Sequence, residues 1–486
     1  MTDLSMLSGL RILVIGLGQE GQALVTYLAG HGLSVTATDL KTSEQLGDQV
    51  DALEKVGAAL VLGEHPTSLL DKADFLFVSP GVPLETPIVA EARLRHLPLS
   101  TESRLFCHLC PAPIIAITGS SGKTTTATIL SKIMETAGRN TWLGGNIGRP
   151  LIAEVDQIKP NDVVVVELSS FQLEYFHARL NQAVDLDNMP GANPPQLAAL
   201  LDSWSPAIGA ILNITPNHLD RHPSMKHYVR AKRAIIDYQP DDGVLILNLD
   251  NDMTRTIGNQ FGTKVRWFST EAHMPNGAGL AGDMLVLLDH KNRPQSVADR
   301  RDIKLRGVHN LYNILAACLV AGAAGASTEA MRQVITTFPG VKHRLQLVRE
   351  LEGVAYYDDS IATTPERLIA ALRAFNEPVV LLAGGRDKHL PWDEAAWLML
   401  HKVTNVILFG EAATTIAEVI DRVRQNSVDV KMKVHRCLDL EEAVSTAAKV
   451  AGRGQVVLLS PGCASFDAFR NFAERGDRFK ELVLQL

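Results

Sequence analysis

The sequence has 486 residues and a formal net charge of −7, with 46% hydrophobic and 21% charged residues. This length suggests about three domains of roughly 150 residues each, and the acidic balance argues against a nucleic-acid-binding protein. No apolar run reaches the roughly 20 residues that cross a bilayer, the N-terminus lacks the pattern of a signal peptide, and five scattered cysteines favour reduced thiols. We therefore expect a cytoplasmic enzyme of small molecules, with no membrane or nucleic-acid partner.

Short apolar runs alternate with helical patterns through residues 1–108. The run RILVIG leads into GLGQEG, where Gly16, Gly18 and Gly21 have the Gly-x-Gly-x-x-Gly spacing, and Asp39 ends the next run, LSVTATD. This spacing is typical of a strand-to-helix turn that binds nucleotide phosphates, so a nicotinamide-dependent dehydrogenase is one interpretation. The helical patterns extend from Gln19 to about His31 and from about Thr42 to Val56.

Two further series of apolar runs follow, in residues 109–340 and 341–486. The first contains APIIAITG, DVVVVEL, IGAILNIT and GVLILNLD, and the second contains VAYYDDS, PVVLLAGG, NVILFG and QVVLLSPG. Runs that are apolar at successive positions are typical of parallel strands buried on both faces. The sequence therefore predicts three successive α/β domains.

The stretch ITGSSGKTTTATIL is the strongest local signal in the chain. It sets Gly119, Gly122, Lys123 and Thr124 between a predicted strand and a predicted helix, although Ile117 stands where the common phosphate-loop signature has a glycine. Backbone N–H groups of such a loop bind phosphate oxygens, the lysine reaches the β and γ phosphates, and the next hydroxyl is a ligand for Mg²⁺. We expect a nucleotide here, with its phosphates bound also by Ser120, Ser121 and Thr125.

Candidate metal partners follow later strands of the same domain. Glu167 emerges from the run VVVVEL, His218 and Asp220 follow the run ILNIT, and Lys232 lies in a helical pattern. Mg²⁺ prefers oxygen ligands and usually takes only one or two protein carboxylates. The carboxyl ends of strands in an open α/β sheet are where ligands bind, so we expect these groups near the phosphate loop.

Seven motifs occur in a specific order: TGSSGKTT, GGNIGRPL, ELSSFQLE, NITPNHLDRH, GVHNLYNILAA, FPGVKHRLQ and LSPGCASFDAFRNFAERGDRF. In that order they resemble the muramyl (Mur) ligase family of peptidoglycan synthesis, over nearly the whole chain. The resemblance implies an N-terminal Rossmann-like domain for a UDP substrate (1–108), a central P-loop ATPase domain (109–340) and a C-terminal Rossmann-like domain for the incoming amino acid (341–486).

The reaction implied by the resemblance is carboxylate activation. ATP phosphorylates the terminal carboxylate of UDP-N-acetylmuramoyl-L-alanine, and the amine of glutamate, most simply D-glutamate, attacks the acyl phosphate to form an amide. By resemblance Lys123 contacts the γ-phosphate, Thr124 and Glu167 hold one magnesium, and His218 belongs to a second metal site. Lys232 occupies the place of a carbamylated lysine, so the four catalytic residues would be Lys123, Glu167, His218 and Lys232.

The resemblance also implies binding residues in all three domains. For ATP they are Asn310, Asn313, Arg344 and Asp359, and for the amino acid they are Thr363, Lys388, Ser465 and Phe472. For the UDP substrate they are Gly16, Gly18, Asp39, Ser79, Gly81 and Asn146. Glu20 would repel a nearby diphosphate, so we expect its carboxylate to point away from the glycine turn.

Two departures from the family pattern leave the acceptor and one segment open. Ile361 replaces a lysine that faces the glutamate, so either another cation substitutes or the acceptor is L-glutamate or a different amino acid. The segment from Asn181 to Trp204 lengthens its region and is either a lid or a surface insertion. The sequence also permits a folyl-polyglutamate-like ligase or a nucleotide-binding pseudoenzyme. We expect a monomer with small-molecule substrates, ATP and Mg²⁺.

Overall fold

The structure is a computed structural model, and it describes residues 4–181, 184–185, 194–219, 221–272, 275–289, 291, 293–425 and 431–486. The chain forms two compact units. One comprises Met1–Arg300 and Tyr312–Ile335, and the other comprises Arg301–Leu311 and Thr336–Leu486.

The first sheet of the larger unit has five parallel strands in the order β3-β2-β1-β4-β5. This order places the end of β1 between the ends of β2 and β4. The strands are β1 Arg11–Ile15, β2 Ser34–Asp39, β3 Ala59–Leu62, β4 Phe75–Val78 and β5 Leu99–Ser100. The helices that accompany them are α1 Gln19–Gly30, α2 Ser43–Leu46, α3 Gln49–Lys55, α4 Pro87–Leu94 and α5 Glu102–Leu109.

The second sheet of this unit has nine strands in the order β14-β13-β12-β11-β10-β9-β6-β8-β7. Its strand β6, third from the β7 edge, lies between β8 and β9, and both pairs are parallel. The strands are β6 Ile114–Thr118, β7 Thr141–Gly145, β8 Val163–Glu167, β9 Ile208–Ile211, β10 Val244–Asn248, β11 Val265–Phe268, β12 Ala278–Ala281, β13 Met284–Leu288 and β14 Pro294–Asp299. The helices of this part of the chain are α6 Lys123–Thr136, α7 Ser170–Leu173, α8 Pro194–Leu201, α9 Met225–Arg233, α10 Asp252–Gly258, α11 Val308–Ala323 and α12 Thr328–Thr337.

Burial explains the composition of the central strands of the second sheet. Every residue of β6 and of β8 is buried, including Glu167 at the end of β8. A parallel strand covered on both faces selects consecutive β-branched residues, as in the VVVV run of β8. Strand β13 pairs antiparallel with both β12 and β14 at the far edge of this sheet. Buried and exposed residues alternate less clearly in these three strands, so the apolar runs did not indicate them.

The smaller unit contains a six-stranded sheet in the order β15-β16-β20-β17-β18-β19. Only the edge pair of β15 and β16 is antiparallel among the strand pairs described in this sheet. The strands are β15 Gln346–Leu351, β16 Val354–Asp358, β17 Val379–Gly384, β18 Val403–Phe409, β19 Lys433–Arg436 and β20 Val456–Gly462. The helices are α13 Pro365–Arg373, α14 Asp393–Lys402, α15 Ala413–Arg424, α16 Leu440–Val450 and α17 Phe472–Gln485.

The α/β class and the three parallel-rich sheets confirm the predicted fold class. The domain boundaries at 108 and 340 stay predictions, because the first two sheets lie in one compact unit. The single helix predicted from about Thr42 to Val56 is wrong. Gly47, at φ 58°, ends α2 in the left-handed region, and α3 begins two residues later at Gln49.

The long segment from Asn181 to Trp204 is described only in part. Residues 182–183 and 186–193 lie outside the described residues, and the short helix expected in the segment is α8.

Candidate active site

The phosphate loop joins the interior strand β6 to helix α6 in the larger unit. Gly122, the N-cap of α6, has a φ of 82°, which favours glycine. A Cβ atom added to Gly122 would lie 2.2 Å from Oδ1 of Asn313, and one added to Gly119 would lie 3.1 Å from Cβ of Leu212. Gly122 therefore combines a positive φ with a contact that leaves no room for a Cβ atom, whereas at Gly119 the contact with Leu212 is tight.

Hydrogen bonds from neighbouring segments hold the two serines of the loop, Ser120 and Ser121. The backbone N–H of Ser120 donates to the carbonyl of Asn213 at 2.9 Å, and the N–H of Ser121 donates to Oδ1 of Asn213 at 2.9 Å. The Ser120 hydroxyl lies 2.8 Å from the Tyr228 hydroxyl and accepts the N–H of Thr215 at 2.9 Å. The loop is thus fixed by the residues that follow β9 and by helix α9.

Two lysines converge on one carbonyl of the loop. The ammonium of Lys123 donates to the carbonyl oxygen of Gly119 at 3.2 Å, and that of Lys232 donates to the same oxygen at 2.9 Å. Lys232 is buried, and its Nζ lies 4.8 Å from the centre of the Tyr228 ring. Burial and the nearby Lys123 charge hold the pKa of Lys232 well below the usual lysine value. A lysine with this lowered pKa is more easily present as a neutral amine.

A hydroxyl, a carboxylate and an amide meet beside the loop. The Thr124 hydroxyl donates to Oε2 of Glu167 at 2.8 Å, and Nδ2 of Asn146 donates to Oε1 of Glu167 at 3.2 Å. Glu167 is buried, so its charge requires such partners. A hydroxyl and one carboxylate fit Mg²⁺, which otherwise keeps water ligands. No group of three or more His, Cys, Asp or Glu side chains suited to a metal occurs among the described residues.

His218 lies in the loop after β9 with a φ of 55°. Its ring centre is 5.0 Å from that of Phe171, and Phe171 also stacks on His222 at 5.4 Å. The ring of His222 lies 2.9 Å from the Ser170 hydroxyl, and burial with nearby cations lowers the pKa of His222 to about 4. Asp220, named with His218 from the sequence, lies outside the described residues.

The glycine turn after β1 has the packing that its sequence predicts. A Cβ atom on Gly21 would lie 2.0 Å from the Gly16 carbonyl oxygen, and Gly16 itself has a φ of 92°. The Ser79 hydroxyl donates to that same carbonyl at 2.6 Å, and Oδ2 of Asp39 accepts the N–H of Leu17 at 2.5 Å. Asp39 and Ser79 therefore shape the turn, while an added Cβ at Gly18 or Gly81 would meet no described atom within 4 Å.

The Glu20 carboxyl group contacts side chains of two other helices. Gln172 of α7 donates to Oε1 of Glu20 at 2.8 Å, and the Ser103 hydroxyl lies 3.4 Å from Oε2. Ser103 also lies 3.2 Å from Oε2 of Glu102, whose Oε1 accepts the N–H of Ile152 at 3.3 Å. Burial raises the pKa of Glu20 to about 7, and burial with the nearby Glu20 charge raises the pKa of Glu102 to about 8. Glu20 is thus bound by protein groups, and the two carboxyls share one hydroxyl donor.

The smaller unit contains the remaining residues predicted to bind ATP, except Asn313. Asp359 is buried, accepts the N–H of Leu345 at 3.1 Å and the Ser460 hydroxyl at 2.9 Å, and has a pKa raised by burial to about 7. The charge of Arg344 opposes that rise. Asn310 donates to the carbonyl of Arg306 at 2.7 Å.

The residues predicted to bind the amino acid lie in the same unit. The Lys388 ammonium donates to the Thr363 hydroxyl at 3.3 Å. Ser465 is buried and its carbonyl accepts two following N–H groups, while Phe472 begins α17 and its carbonyl accepts the Ser360 hydroxyl at 2.8 Å. Near them the buried Arg475 donates to the carbonyls of Ser360 and Cys463.

Some residues of the site were not identified from the sequence. Asn213 and Tyr228 hold the phosphate loop, Gln172 contacts Glu20, and Arg475 joins two loops of the smaller unit. Asn213 could have been found, because it is a polar residue near the end of the predicted apolar run IGAILNIT and opens the motif NITPNHLDRH. The contact between Gln172 and Glu20 spans 152 positions and has no local signal.

A phosphate loop at the carboxyl end of a central parallel strand, with a lysine, a hydroxyl and a carboxylate beside it, defines a P-loop α/β nucleotide-binding enzyme. Three family models match the chain: "Mur ligase MurD-like, N-terminal domain" at 10–100, "Mur ligase middle domain" at 117–188 and 191–321, and "Mur ligase, glutamate ligase domain" at 343–463. The chain belongs to the Mur ligase family, and it is an ATP-dependent ligase that forms C–N bonds.

Curated relatives match over nearly the full length. The UDP-N-acetylmuramoylalanine--D-glutamate ligase of Symbiobacterium thermophilum is 40% identical over 97% of both chains. The enzyme of the same name from Clostridium novyi is 39% identical over 98% of this chain and 96% of its own. Both alignments include all three sheets of the fold.

Solved structures share the fold at low sequence identity. The UDP-N-acetylmuramate-alanine ligase MurC of Thermotoga maritima has a TM-score of 0.57 and 17% identity, over 98% of this chain and 99% of its own. The MurF ligase of Thermotoga maritima in complex with ADP has a TM-score of 0.54 and 17% identity, over 93% and 96%. In the part of the chain that the structure describes, no helix has the length and apolar character needed to cross a membrane.

Proposed function

We propose that the chain adds D-glutamate to UDP-N-acetylmuramoyl-L-alanine, with conversion of ATP to ADP and phosphate, in peptidoglycan precursor synthesis. The observation that carries the proposal is the joint presence of the Thr124–Glu167 contact at the phosphate loop and full-length relatives of that activity. The loop supplies phosphoryl transfer, and the relatives specify the substrates.

The larger unit supplies the groups for phosphoryl transfer. Lys123 and the N–H groups of the loop neutralise and orient the γ-phosphate, which is most of what phosphoryl transfer requires of a protein. Thr124 and Glu167 would hold Mg²⁺, which neutralises phosphate charge when bound. Lys232 has a lowered pKa, and carbamylation of its neutral amine would add a carboxylate beside the loop.

The acyl phosphate step follows from this arrangement. A terminal carboxylate oxygen of the UDP substrate attacks the γ-phosphorus, and the bond to the β-phosphate oxygen breaks to release ADP. The amine of glutamate then attacks the acyl carbon and loses a proton, and the C–O bond to phosphate breaks to leave the amide. His218, Asn310, Asn313, Arg344 and Asp359 are proposed to complete the metal and nucleotide sites.

The glycine turn is proposed to bind the pyrophosphate of the UDP substrate. Gly16 and Gly18 open the N-terminus of α1, and Asp39, Ser79 and Gly81 lie around the same strand ends. Asn146 lies against Glu167, so it would contact the part of the substrate nearest the phosphate loop. We further propose a cytoplasmic monomer with domains at 1–108, 109–340 and 341–486.

The decisive experiment is a steady-state phosphate-release assay with UDP-N-acetylmuramoyl-L-alanine, ATP, Mg²⁺ and either D- or L-glutamate. We expect turnover with D-glutamate and dependence on all four components. A second candidate is a related ligase with another acceptor, because Ile361 carries no charge at the acceptor turn. Turnover with L-glutamate or another amino acid in place of D-glutamate would establish that candidate, and no turnover with either isomer would reject the stated substrates.

A further inference from the structure

The turn between β16 and α13 contacts two cationic side chains. Nη1 of Arg367 donates to the carbonyl oxygen of Ile361 at 3.1 Å, and Nζ of Lys388 donates to the Thr363 hydroxyl at 3.3 Å. The turn itself is closed by the N–H of Thr363, which donates to the Ile361 carbonyl at 2.9 Å. Two cations therefore sit on one short turn whose contacting atoms are neutral.

Neither cation is neutralised by the described protein. Arg367 and Lys388 make no ion pair within 4.0 Å among the residues that the structure describes. Burial lowers the pKa of Lys388, and the charges of Arg367 and Arg475 lower it further. Cys463 acts in the opposite direction but is a thiol whose own pKa is raised to about 12. Like charges held close together without a carboxylate favour a bound anion.

The position of Arg367 in its helix gives an independent reason. Arg367 lies in the first turn of α13, where the helix dipole disfavours a cation. The N-cap residue Thr364 makes no side-chain capping hydrogen bond, and the acidic residue of the first turn is Glu366, directly before Arg367. Helix stability does not explain an arginine here, whereas an anion beside the turn would interact favourably with both the guanidinium and the helix end.

Arg475 of the same unit is a structural arginine, and its contacts differ from those of Arg367. It is fully buried, and its donors go to the Ser360 hydroxyl and to the carbonyls of Ser360, Cys463 and Ala464. Arg367 is exposed and uses one donor on the Ile361 carbonyl. Its remaining N–H groups can bind a carboxylate with the two-point geometry that guanidinium provides.

We propose that Arg367 binds one carboxylate of the acceptor amino acid and, with Lys388 and Thr363, selects a dicarboxylic acceptor. The proposal rests on the proposed ligase function. It assigns to Arg367 the cationic role at the turn that Ile361 cannot perform.

The test compares Arg367→Ala with Arg373→Ala, because Arg373 lies at the other end of the same helix in an exposed ion pair with Glu394. We expect Arg367→Ala to raise the KM for D-glutamate about 10- to 100-fold, the effect of one charge-assisted hydrogen bond. The KM values for ATP and for the UDP substrate stay unchanged, Arg367→Lys recovers part of the loss, and Arg373→Ala behaves as the parent enzyme.

Two analogues distinguish binding from a structural effect. D-glutamine lacks the γ-carboxylate and D-isoglutamine lacks the α-carboxylate, and each is measured as a competitive inhibitor against D-glutamate. The analogue that lacks the carboxylate bound by Arg367 should be insensitive to Arg367→Ala, while the other weakens as D-glutamate does. An unchanged KM for D-glutamate, or equal weakening of both analogues, would overturn the proposal.

The failure of the proposed function has a different signature. In that case the parent enzyme does not turn over D-glutamate at all, and the same variants are compared on the amino acid that it does accept. A loss specific to Arg367→Ala on that acceptor would still support carboxylate binding, and no loss would refute it.

Discussion

The Thr124 hydroxyl and the Glu167 carboxylate are 2.8 Å apart although 43 positions separate them in the sequence. Thr124 lies in the first turn of α6 and Glu167 is the last residue of β8, the strand beside β6. The parallel order of the sheet therefore creates this contact, because strands that run together end at the same edge.

This contact predicts the effect of Glu167→Gln on metal use. The amide keeps one oxygen and the shape of the side chain but loses the negative charge. We expect the Mg²⁺ concentration for half-maximal phosphate release to rise at least about 10-fold, as for a lost charge-assisted interaction. Glu135→Gln at the exposed end of α6 is the control and should leave the Mg²⁺ titration unchanged. Identical Mg²⁺ titrations for Glu167→Gln and the parent would contradict the metal role.

Lys123→Ala should separate the two nucleotide sites. We expect phosphate release to fall by about 10²–10³-fold or more, because the transferred phosphoryl group loses a preorganised cation. Binding of the UDP substrate, measured by calorimetry, should remain, and Lys132→Ala at an exposed position of the same helix should affect neither quantity. Loss of both binding and turnover in Lys123→Ala would contradict separate sites.

Gly122→Ala and Gly138→Ala separate backbone strain from close packing. The two glycines have φ values of 82° and 81°, so an added Cβ strains both backbones similarly. At Gly122 the Cβ would lie 2.2 Å from Oδ1 of Asn313, whereas at Gly138 it would meet no described atom within 4 Å. We expect Gly122→Ala to abolish ATP binding, measured with a fluorescent analogue, and Gly138→Ala to lose about 1 kcal/mol of stability with ATP affinity intact. Equal ATP affinities would refute the argument.

The Glu20–Glu102 pair makes stability depend on pH. Their folded-state pKa values of about 7 and about 8 lie above the ordinary 4.5, so between these limits the folded chain binds more protons than the unfolded chain. The stabilisation is complete below about pH 4.5 and is lost as the pH rises through about 7 to 8. In Glu102→Gln the thermal midpoint should fall less between about pH 5 and about pH 8.

Exposed Glu44→Gln provides the control for that measurement, since its carboxyl lies on the surface of the same part of the chain. Its thermal midpoint should follow the parent curve across the pH range. If Glu102→Gln also follows the parent curve, the buried pair does not contribute as argued.

Arg475 should be important for the stability of the smaller unit. Replacement by methionine removes a buried guanidinium and leaves the carbonyls of Ser360 and Cys463 without these donors, while the Ala464 carbonyl keeps the N–H of Arg386 at 2.9 Å. We expect a loss of about 1–3 kcal/mol in the free energy of unfolding for each carbonyl left without a donor, measured by urea denaturation. The control Arg478→Ala removes a partly exposed arginine of the same helix, which pairs with Glu441, and should cost about 1 kcal/mol or less.

The main strands and the phosphate loop could be predicted because their signals are local. The buried runs of β1, β6 and β8 have the composition of parallel strands, and Gly122-Lys123-Thr124 follows β6 directly. The helix break at Gly47 could not be separated from a tolerated glycine inside a helix. In the antiparallel strands β12, β13 and β14, buried and exposed residues do not alternate regularly, so these strands were not recognised.

The pairings across the sheet could not be predicted from local pattern. In the sequence, Lys232 cannot be distinguished from an ordinary lysine of a helix. Its contact with the Gly119 carbonyl, 113 positions away, is created by the fold. In the sequence, Arg367 is similarly indistinguishable from a surface residue of an amphipathic helix. The sequence shows that Ile361 stands where the family has a lysine, and one of its two explanations is that another cation substitutes. Arg367 is the residue that we propose for that role.

Gln172 limits which amino acids can occupy its position. Its side-chain oxygen accepts the N–H of Ser169 at 2.8 Å in a capping box, while its side-chain nitrogen donates to Glu20 and to the Ser103 hydroxyl at 3.0 Å. Glutamate would keep the acceptor but add a third buried acid, and methionine would keep the length but lose both functions. The position therefore requires one acceptor and one donor at the end of a buried side chain of this length, which is what glutamine provides.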